Sequence, residues 1–516
     1  MRAVLIVPPF CDFYFTRHRF SSLGAHMVEN LLSRIGLQVS LLNFPLLNTQ
    51  GTRVELPDEL SYLKPFLIEK ETGKLSFFTS FRRFGPRLEQ CIEMIESVRP
   101  EICFFSLFAF CYADDAIELA EKIKIKMPAV PNIFGGGGVA AYPGYFLKNA
   151  AIDYAFTGEA EAGLNQLLAE LSQPQPDFRK VPNLVWKNNG SMCVSPVRSH
   201  VPGTEIEPVL VKTAEASRLI MFSTSLARGC PKSCDFCSSR LLFGDTLRTA
   251  SLSRLEKLLS GFSVNNNCRG KQVIINFEDD NLLCDETFLR SSISLFQKYI
   301  PDIQFIAENG IDYSQLTRET CEWLLKNGMR KFNLSLASLD PEILLKRKRF
   351  LHLERYEEAV SFFAENGIPT ITYFICGFKE DTLETTANNL SYLAYKQTLI
   401  GLSPFYPVPG LPGFENCSLF DKIPCSQLCA GSSIYPWNGS LSTETMITAF
   451  RLSRFINLMK NPRRTEKENQ LLDIIANKRE LHTMIKEKSG RERIAPVPKQ
   501  DIELVKLFFK KLERNT

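Results

Sequence analysis

The chain has 516 residues, 44% hydrophobic and 23% charged, which is enough apolar sequence for roughly two to four packed domains and excludes a single small binding module. Sixty-one Lys and Arg against 57 Asp and Glu leave a formal charge of +4, which excludes a protein that coats nucleic acid by bulk charge. Fifteen cysteines are odd in number and sparse for this length; they exclude a disulfide scaffold and, with no apolar run of signal-peptide or membrane-spanning length, predict a cytoplasmic protein with reduced, metal-bound or buried thiols.

From the N-terminus, short apolar runs alternate with amphipathic helices. Strands are predicted at Ala3 to Val7, Gln38 to Asn43, Ile102 to Leu107, Asn132 to Phe134 and Ile152 to Phe156, and helices near Ser22 to Arg34, Ala113 to Lys126, Tyr142 to Asn149 and Glu161 to Leu171. This alternation predicts a doubly wound, Rossmann-like parallel sheet covered on both faces, with its ligand beyond the carboxyl ends of the strands. Residues 46 to 90 read as an insertion with local structure of its own, and the proline-punctuated residues 173 to 215 as a connector with a strand candidate at Asn183 to Lys187.

A second alternation begins at Ile220. Strands are predicted at Ile220 to Leu226, Gln272 to Phe277, Ile303 to Ala307, Lys331 to Leu336, Thr370 to Ile375 and Ile400 to Pro404. Helices fit between them, so an open parallel (β/α)6 partial barrel is expected. The tail reads as helices around Thr443 to Met459, Thr465 to Lys488 and Lys499 to Leu512. The expected organisation is therefore α/β, with a doubly wound domain and connector at 1–205, the partial barrel at 206–415 and a helical region at 416–516.

The densest chemistry lies after the first strand of the second alternation, in Arg228-Gly229-Cys230-Pro231-Lys232-Ser233-Cys234-Asp235-Phe236-Cys237. Three thiolates in C-x3-C-x2-C spacing suit a soft metal, above all an iron-sulfur cluster, and three ligands leave one iron of a four-iron cube open. A structural zinc would require a fourth ligand such as Cys268 or Cys284. Other thiols, Cys417, Cys425 and Cys429, cluster loosely after the barrel and read as ordinary free thiols. The Lys346-Arg347-Lys348-Arg349 run reads as a solvated face.

With Phe236 just before the last cysteine, this motif resembles the signature of the radical S-adenosylmethionine (SAM) superfamily. Phe277-Glu278-Asp279-Asp280-Asn281, Ser335-Leu336-Ala337-Ser338, Gly377-Phe378-Lys379-Glu380 and Pro407-Val408-Pro409-Gly410 resemble its later segments, each at a strand end. The resemblance implies that Cys230, Cys234 and Cys237 hold a 4Fe-4S cluster and that Phe236, Asp279, Glu308, Ser335, Ser338 and Gly377 bind SAM. Ala337 stands where that family usually has Glu, and Lys379 where it has Pro.

The first domain, on Pro8-Pro9, Gly135-Gly136-Gly137-Gly138 and Thr157-Gly158-Glu159, resembles the cobalamin-binding domain of the cobalamin-dependent radical SAM class. That resemblance implies cobalamin contacts from Pro9, Phe108, Gly135, Gly136, Gly137, Gly158 and Glu159. None of the five histidines has an Asp two positions before it, so a histidine on cobalt is not expected. The class implies methylation of an unactivated carbon of a small molecule or peptide, with a flavodoxin or ferredoxin-type electron donor; cyclisation, ring contraction or another rearrangement without methyl transfer is the alternative. Neither a membrane nor a nucleic-acid partner is expected.

Overall fold

The structure is a computed structural model that describes residues 1–265, 268 and 270–514. Its first sheet has seven strands: β1 (Arg2–Val7), β2 (Gln38–Asn43), β3 (Ile102–Ser106), β4 (Asn132–Gly135), β5 (Tyr154–Phe156), β6 (Leu184–Asn188) and β7 (Ser191–Val194), in the order β7-β6-β5-β4-β3-β1-β2. Strands β1 to β5 pair in parallel, and the β6–β7 hairpin adds antiparallel on β5. Ala3 to Val7 are all buried, as an apolar strand covered on both faces requires. The order reverses between β1 and β3, which places a crevice beyond their carboxyl ends. Helix Ala113–Lys126 begins Asp114-Asp115 and ends with Lys124 and Lys126, charges that complement its dipole.

The second sheet also has seven strands, β8 (Val211–Glu215), β9 (Leu219–Thr224), β10 (Gln272–Phe277), β11 (Gln304–Ile311), β12 (Met329–Ala337), β13 (Thr370–Cys376) and β14 (Leu399–Pro404), in sequential order. Strand β8 is antiparallel to β9, whereas β9, β10 and β11 run parallel, as do β12, β13 and β14. The six strands expected here are present. In the stretch read as a connector the strand candidate at Asn183 to Lys187 forms as β6, and β7 and β8 form beside it unforeseen: hairpin pairing and an antiparallel edge decided them, and neither leaves a long apolar run.

The tail differs from the helical region expected. Helices Thr443–Met459, Glu466–Lys478 and Ile502–Arg514 form, but His482–Lys486 and Glu492–Pro496 make an antiparallel hairpin to which Glu71–Thr72 adds as a third strand. The insertion read at 46–90 runs into the first turn of a helix, Leu88–Val98.

Packing groups the residues into two interleaved units: 1–54, 82–306 and 407–429 in one, 55–81, 307–406 and 430–516 in the other. The division falls inside β11. In the first unit the Asp114 carboxylate accepts the Ser426 backbone N–H at 2.7 Å, and Ser426 Oγ accepts the Asp114 N–H at 3.2 Å. In the second, buried Arg451 donates to both Glu71 carboxylate oxygens, at 2.5 and 3.1 Å, and to the Leu75 carbonyl at 3.0 Å. Among the described residues no helix is long and apolar enough to cross a membrane.

Candidate functional site

Strand β9 leads into Ala227–Arg228, which pairs antiparallel with Arg248–Thr249, so residues 229–247 form a loop pinched at its base. Gly229 sits at φ +83°, and a Cβ there would lie 2.4 Å from the Thr246 carbonyl oxygen; only glycine fits this turn. The Asp280 carboxylate, beyond the end of β10, accepts the Gly229 N–H at 3.0 Å and the Ser239 hydroxyl at 2.6 Å, pinning the cysteine segment from both sides. Asp279, 5% exposed, accepts the Leu226 and Ala227 N–H groups through Oδ1 at 2.9 and 2.6 Å. Burial pushes its carboxyl up to about 7 against those two bonds, and its Oδ2 is buried with no hydrogen-bond partner.

Cys234 is buried, Cys230 half-buried and Cys237 exposed. The Cys237 N–H donates to the Cys234 carbonyl at 3.2 Å, and Asn281 Nδ2 donates to Cys230 Sγ at 3.7 Å. Among the described residues no three His, Cys, Asp or Glu side chains converge as a closed ion-binding set. Three soft donors on one pinned loop, one open to solvent and one already receiving a hydrogen bond, fit an iron-sulfur cluster with a free iron better than tetrahedral zinc. The Cys417, Cys425 and Cys429 group does not gather as one: Ser426 Oγ donates to the Cys111 carbonyl at 3.1 Å, which sets the 425–429 turn against Cys111, while Cys417 lines a separate groove.

The remaining SAM candidates belong to the second unit. Glu308 on β11 is 4% exposed; its Oε1 accepts from Lys331 Nζ at 2.5 Å, and its carbonyl accepts from Asn333 Nδ2 and the Tyr373 hydroxyl at 3.0 and 2.9 Å. Register slips between Ser335 and Ala337, and Ala337 adopts φ +67°, a left-handed conformation that strains a residue with a Cβ. Ser338 is fully buried and its Oγ accepts the Asp340 N–H at 3.1 Å, so its hydroxyl builds the turn. Gly377, at φ +107°, donates its N–H to Asp381 at 2.7 Å.

In the first unit a cavity of about 390 Å³ opens at the switch point of the first sheet. Leu5, Val7, Phe104, Ile133 and Phe156 form its apolar floor, and Phe108, Gly135, Gly136, Gly137, Gly158 and Glu159 its rim. Arg228, Leu242 and Phe243, which flank the cysteines in sequence, line it as well. Six of the seven cobalamin candidates thus stand together. The exception, Pro9, is absent from the lining: it is buried, and its Cβ lies 2.8 Å from where Gly85 would carry one. No histidine lines the cavity.

The glycines also act differently from one another. A Cβ on Gly136 would lie 2.4 Å from the Leu107 carbonyl oxygen, and one on Gly138 2.5 Å from the Ala109 carbonyl carbon, whereas one on Gly137 meets nothing closer than 3.3 Å. Gly136 and Gly138 let two backbones touch; Gly137 leaves space. Glu159, with no exposed side-chain surface, is committed to the protein: Oε1 accepts from Arg228 at 2.5 Å, and Oε2 from Arg248 at 2.8 Å and the Val201 N–H at 3.0 Å. Arg228 also donates to Glu161 at 2.8 Å, so this buried network ties the cavity rim to the base of the cysteine loop. Sequence reasoning missed Arg228, Arg248, Asp280 and Asn281 as site builders; the first adjoins the cysteine motif and the last two lie in the strand-end segment at Phe277.

The radical SAM superfamily matches residues 224–393. The chain is 24% identical over 335 residues to hopanoid C-3 methylase of Methylococcus capsulatus, covering 60% of this chain and 62% of that one. It is 22% identical over 324 residues to the cobalamin-dependent radical SAM methyltransferase TokK of Streptomyces tokunonensis, covering 57% and 45%. The chain therefore spans under two thirds of the length of these curated relatives. The structure of the radical SAM methyltransferase TsrM from Kitasatospora setae, with cobalamin and a [4Fe-4S] cluster bound, shares the fold: TM-score 0.56 and 15% identity, covering 80% of this chain and 76% of that one. The cysteine loop pinned after the first parallel strand of the sequential sheet lies in residues 224–393, the segment that matches the radical SAM superfamily, and the chain's similarity to hopanoid C-3 methylase and to the TsrM fold extends beyond that segment.

Proposed function

We propose that this chain is a cobalamin-dependent radical SAM enzyme, a C-methyltransferase acting on an unactivated carbon of a small molecule or peptide. The observation that carries the reading is the cavity at the switch point, whose wall includes Arg228, the residue that leads into the cysteine loop. In this reading residues 1–205 serve cobalamin, 206–415 the SAM chemistry and 416–516 a supporting role. The hopanoid methylase and TokK names support methyl transfer. The reducing cytoplasm suits the free thiols.

Cys230, Cys234 and Cys237 would hold the 4Fe-4S cluster; Phe236 and Asp279 of the first unit, and separately Glu308, Ser335, Ser338 and Gly377 of the second, are the residues this reading assigns to SAM. When bound, the cluster with SAM supplies a 5'-deoxyadenosyl radical and the corrinoid supplies the methyl group. The protein's part is placement and exclusion of water. Asp280 and Asp279 fix the loop on which the thiols stand, and Asn281 offers a hydrogen bond to the Cys230 sulfur that tunes its donor strength. On the other side the apolar floor and the open backbone at Gly137 would accept a flat macrocycle, and no imidazole stands among the described lining residues.

Anaerobic protein given dithionite, SAM and cobalamin tests this. It should bind corrinoid, carry one 4Fe-4S cluster and release 5'-deoxyadenosine and, from recharging of the corrinoid, S-adenosylhomocysteine. The Cys230, Cys234 and Cys237 triple alanine variant should lose iron and deoxyadenosine yet retain corrinoid. Full iron content in that variant overturns the cluster assignment, and deoxyadenosine without S-adenosylhomocysteine favours rearrangement.

A further inference from the structure

A second groove of the first unit, about 560 Å³, lies between the hairpin β6–β7 and helix Ser239–Phe243. Its charged side chains are Arg198 and Arg240, with no carboxylate among the lining residues, while His200 in the same lining faces Glu159 at 3.2 Å. Arg240 is exposed and has no carboxylate partner among the described residues. Arg198 donates only to the Thr157 hydroxyl, and His200 is half exposed. Met192 and Val194 in the lining and Val197 at its edge are 55%, 45% and 39% exposed, so an apolar patch is edged by positive charge. Such patches mark weak, electrostatically steered protein encounters.

Position in the chain gives the patch its partner. Arg240 stands three residues after Cys237, the exposed thiol of the cysteine loop, so their Cα atoms are at most about 11 Å apart. We propose that this groove docks the one-electron donor, a small acidic flavin or iron-sulfur protein. One electron leaves the reduced donor and enters the oxidised cluster; no bond or proton moves. This rests on the cluster reading given above.

The test uses the full chain and an acidic flavodoxin as probe, with binding measured by interferometry and deoxyadenosine formation measured with flavodoxin or with dithionite. In the Arg198→Glu, Arg240→Glu double variant the flavodoxin Kd should rise about tenfold at low ionic strength, with the gap closing near 0.5 M salt. The Arg198→Lys, Arg240→Lys variant should bind as the parent does, and dithionite-driven cleavage should stay unchanged in both. Equal flavodoxin affinity in parent and charge-reversed protein, with dithionite cleavage intact, overturns the groove assignment. Absence of dithionite cleavage in the parent overturns the cluster reading instead.

Discussion

Glu159 holds two arginines, Arg228 and Arg248, 5% and 13% exposed in their side chains; without it Arg228 would keep Glu161, whereas Arg248 would be left with the Val201 and Phe243 carbonyls. A buried charge that loses its partner costs about 3–5 kcal/mol. Glu159→Ala should therefore lower the unfolding free energy by about that amount and reduce iron loading, because the loop base is no longer tied down; denaturant titration and iron analysis read both. Asp115 responds to pH. Burial pushes its carboxyl from 3.8 up to about 6, opposed by the Cys11 N–H at 3.1 Å. Between about pH 4 and 6 the folded chain holds a proton that the unfolded chain has released, so stability falls as pH rises through that window and levels off above it. The total amounts to about 3 kcal/mol, and Asp115→Asn should flatten that slope in thermal melts.

At the level of elements the glycine turn after β4 separates two roles that a run of four glycines conceals. Gly137→Phe should fill the cavity mouth and abolish corrinoid retention while iron content stays at the parent level; Gly136→Ala, at φ +101° and against the Leu107 carbonyl, should instead destabilise the fold. Retained corrinoid in Gly137→Phe sinks the cavity assignment. Elements with strong apolar periodicity were legible from sequence: helices Ala113–Lys126, Glu161–Leu171 and Thr443–Met459 form where the pattern places them. The hairpin of His482–Lys486 with Glu492–Pro496 was not, because the strand that completes its sheet, Glu71–Thr72, lies more than 400 residues away and local spacing around Leu471 and Ile475 favours continued helix. The same limit applies to the site. The cysteine triad is contiguous and visible, whereas the arginines on Glu159 arrive from remote segments and Pro9 is buried by packing that no local pattern records.

On the scale of the whole molecule the chain passes between its two units five times, so a contiguous fragment as short as residues 1–205 contains neither unit complete. Expression of residues 1–205 alone should give a protease-sensitive product, and limited proteolysis of the full chain should destroy both units in one kinetic phase; a protected fragment ending near residue 205 would contradict this. The Asp114–Ser426 pair shows what such threading demands of biosynthesis. Its partners are 312 residues apart, so at usual translation rates Asp114 waits roughly 15 to 60 s after leaving the ribosome before Ser426 exists. Throughout that interval the nascent chain exposes apolar strands whose final neighbours have not been made. Yield of folded protein should consequently track elongation speed and chaperone supply more closely than equilibrium stability does.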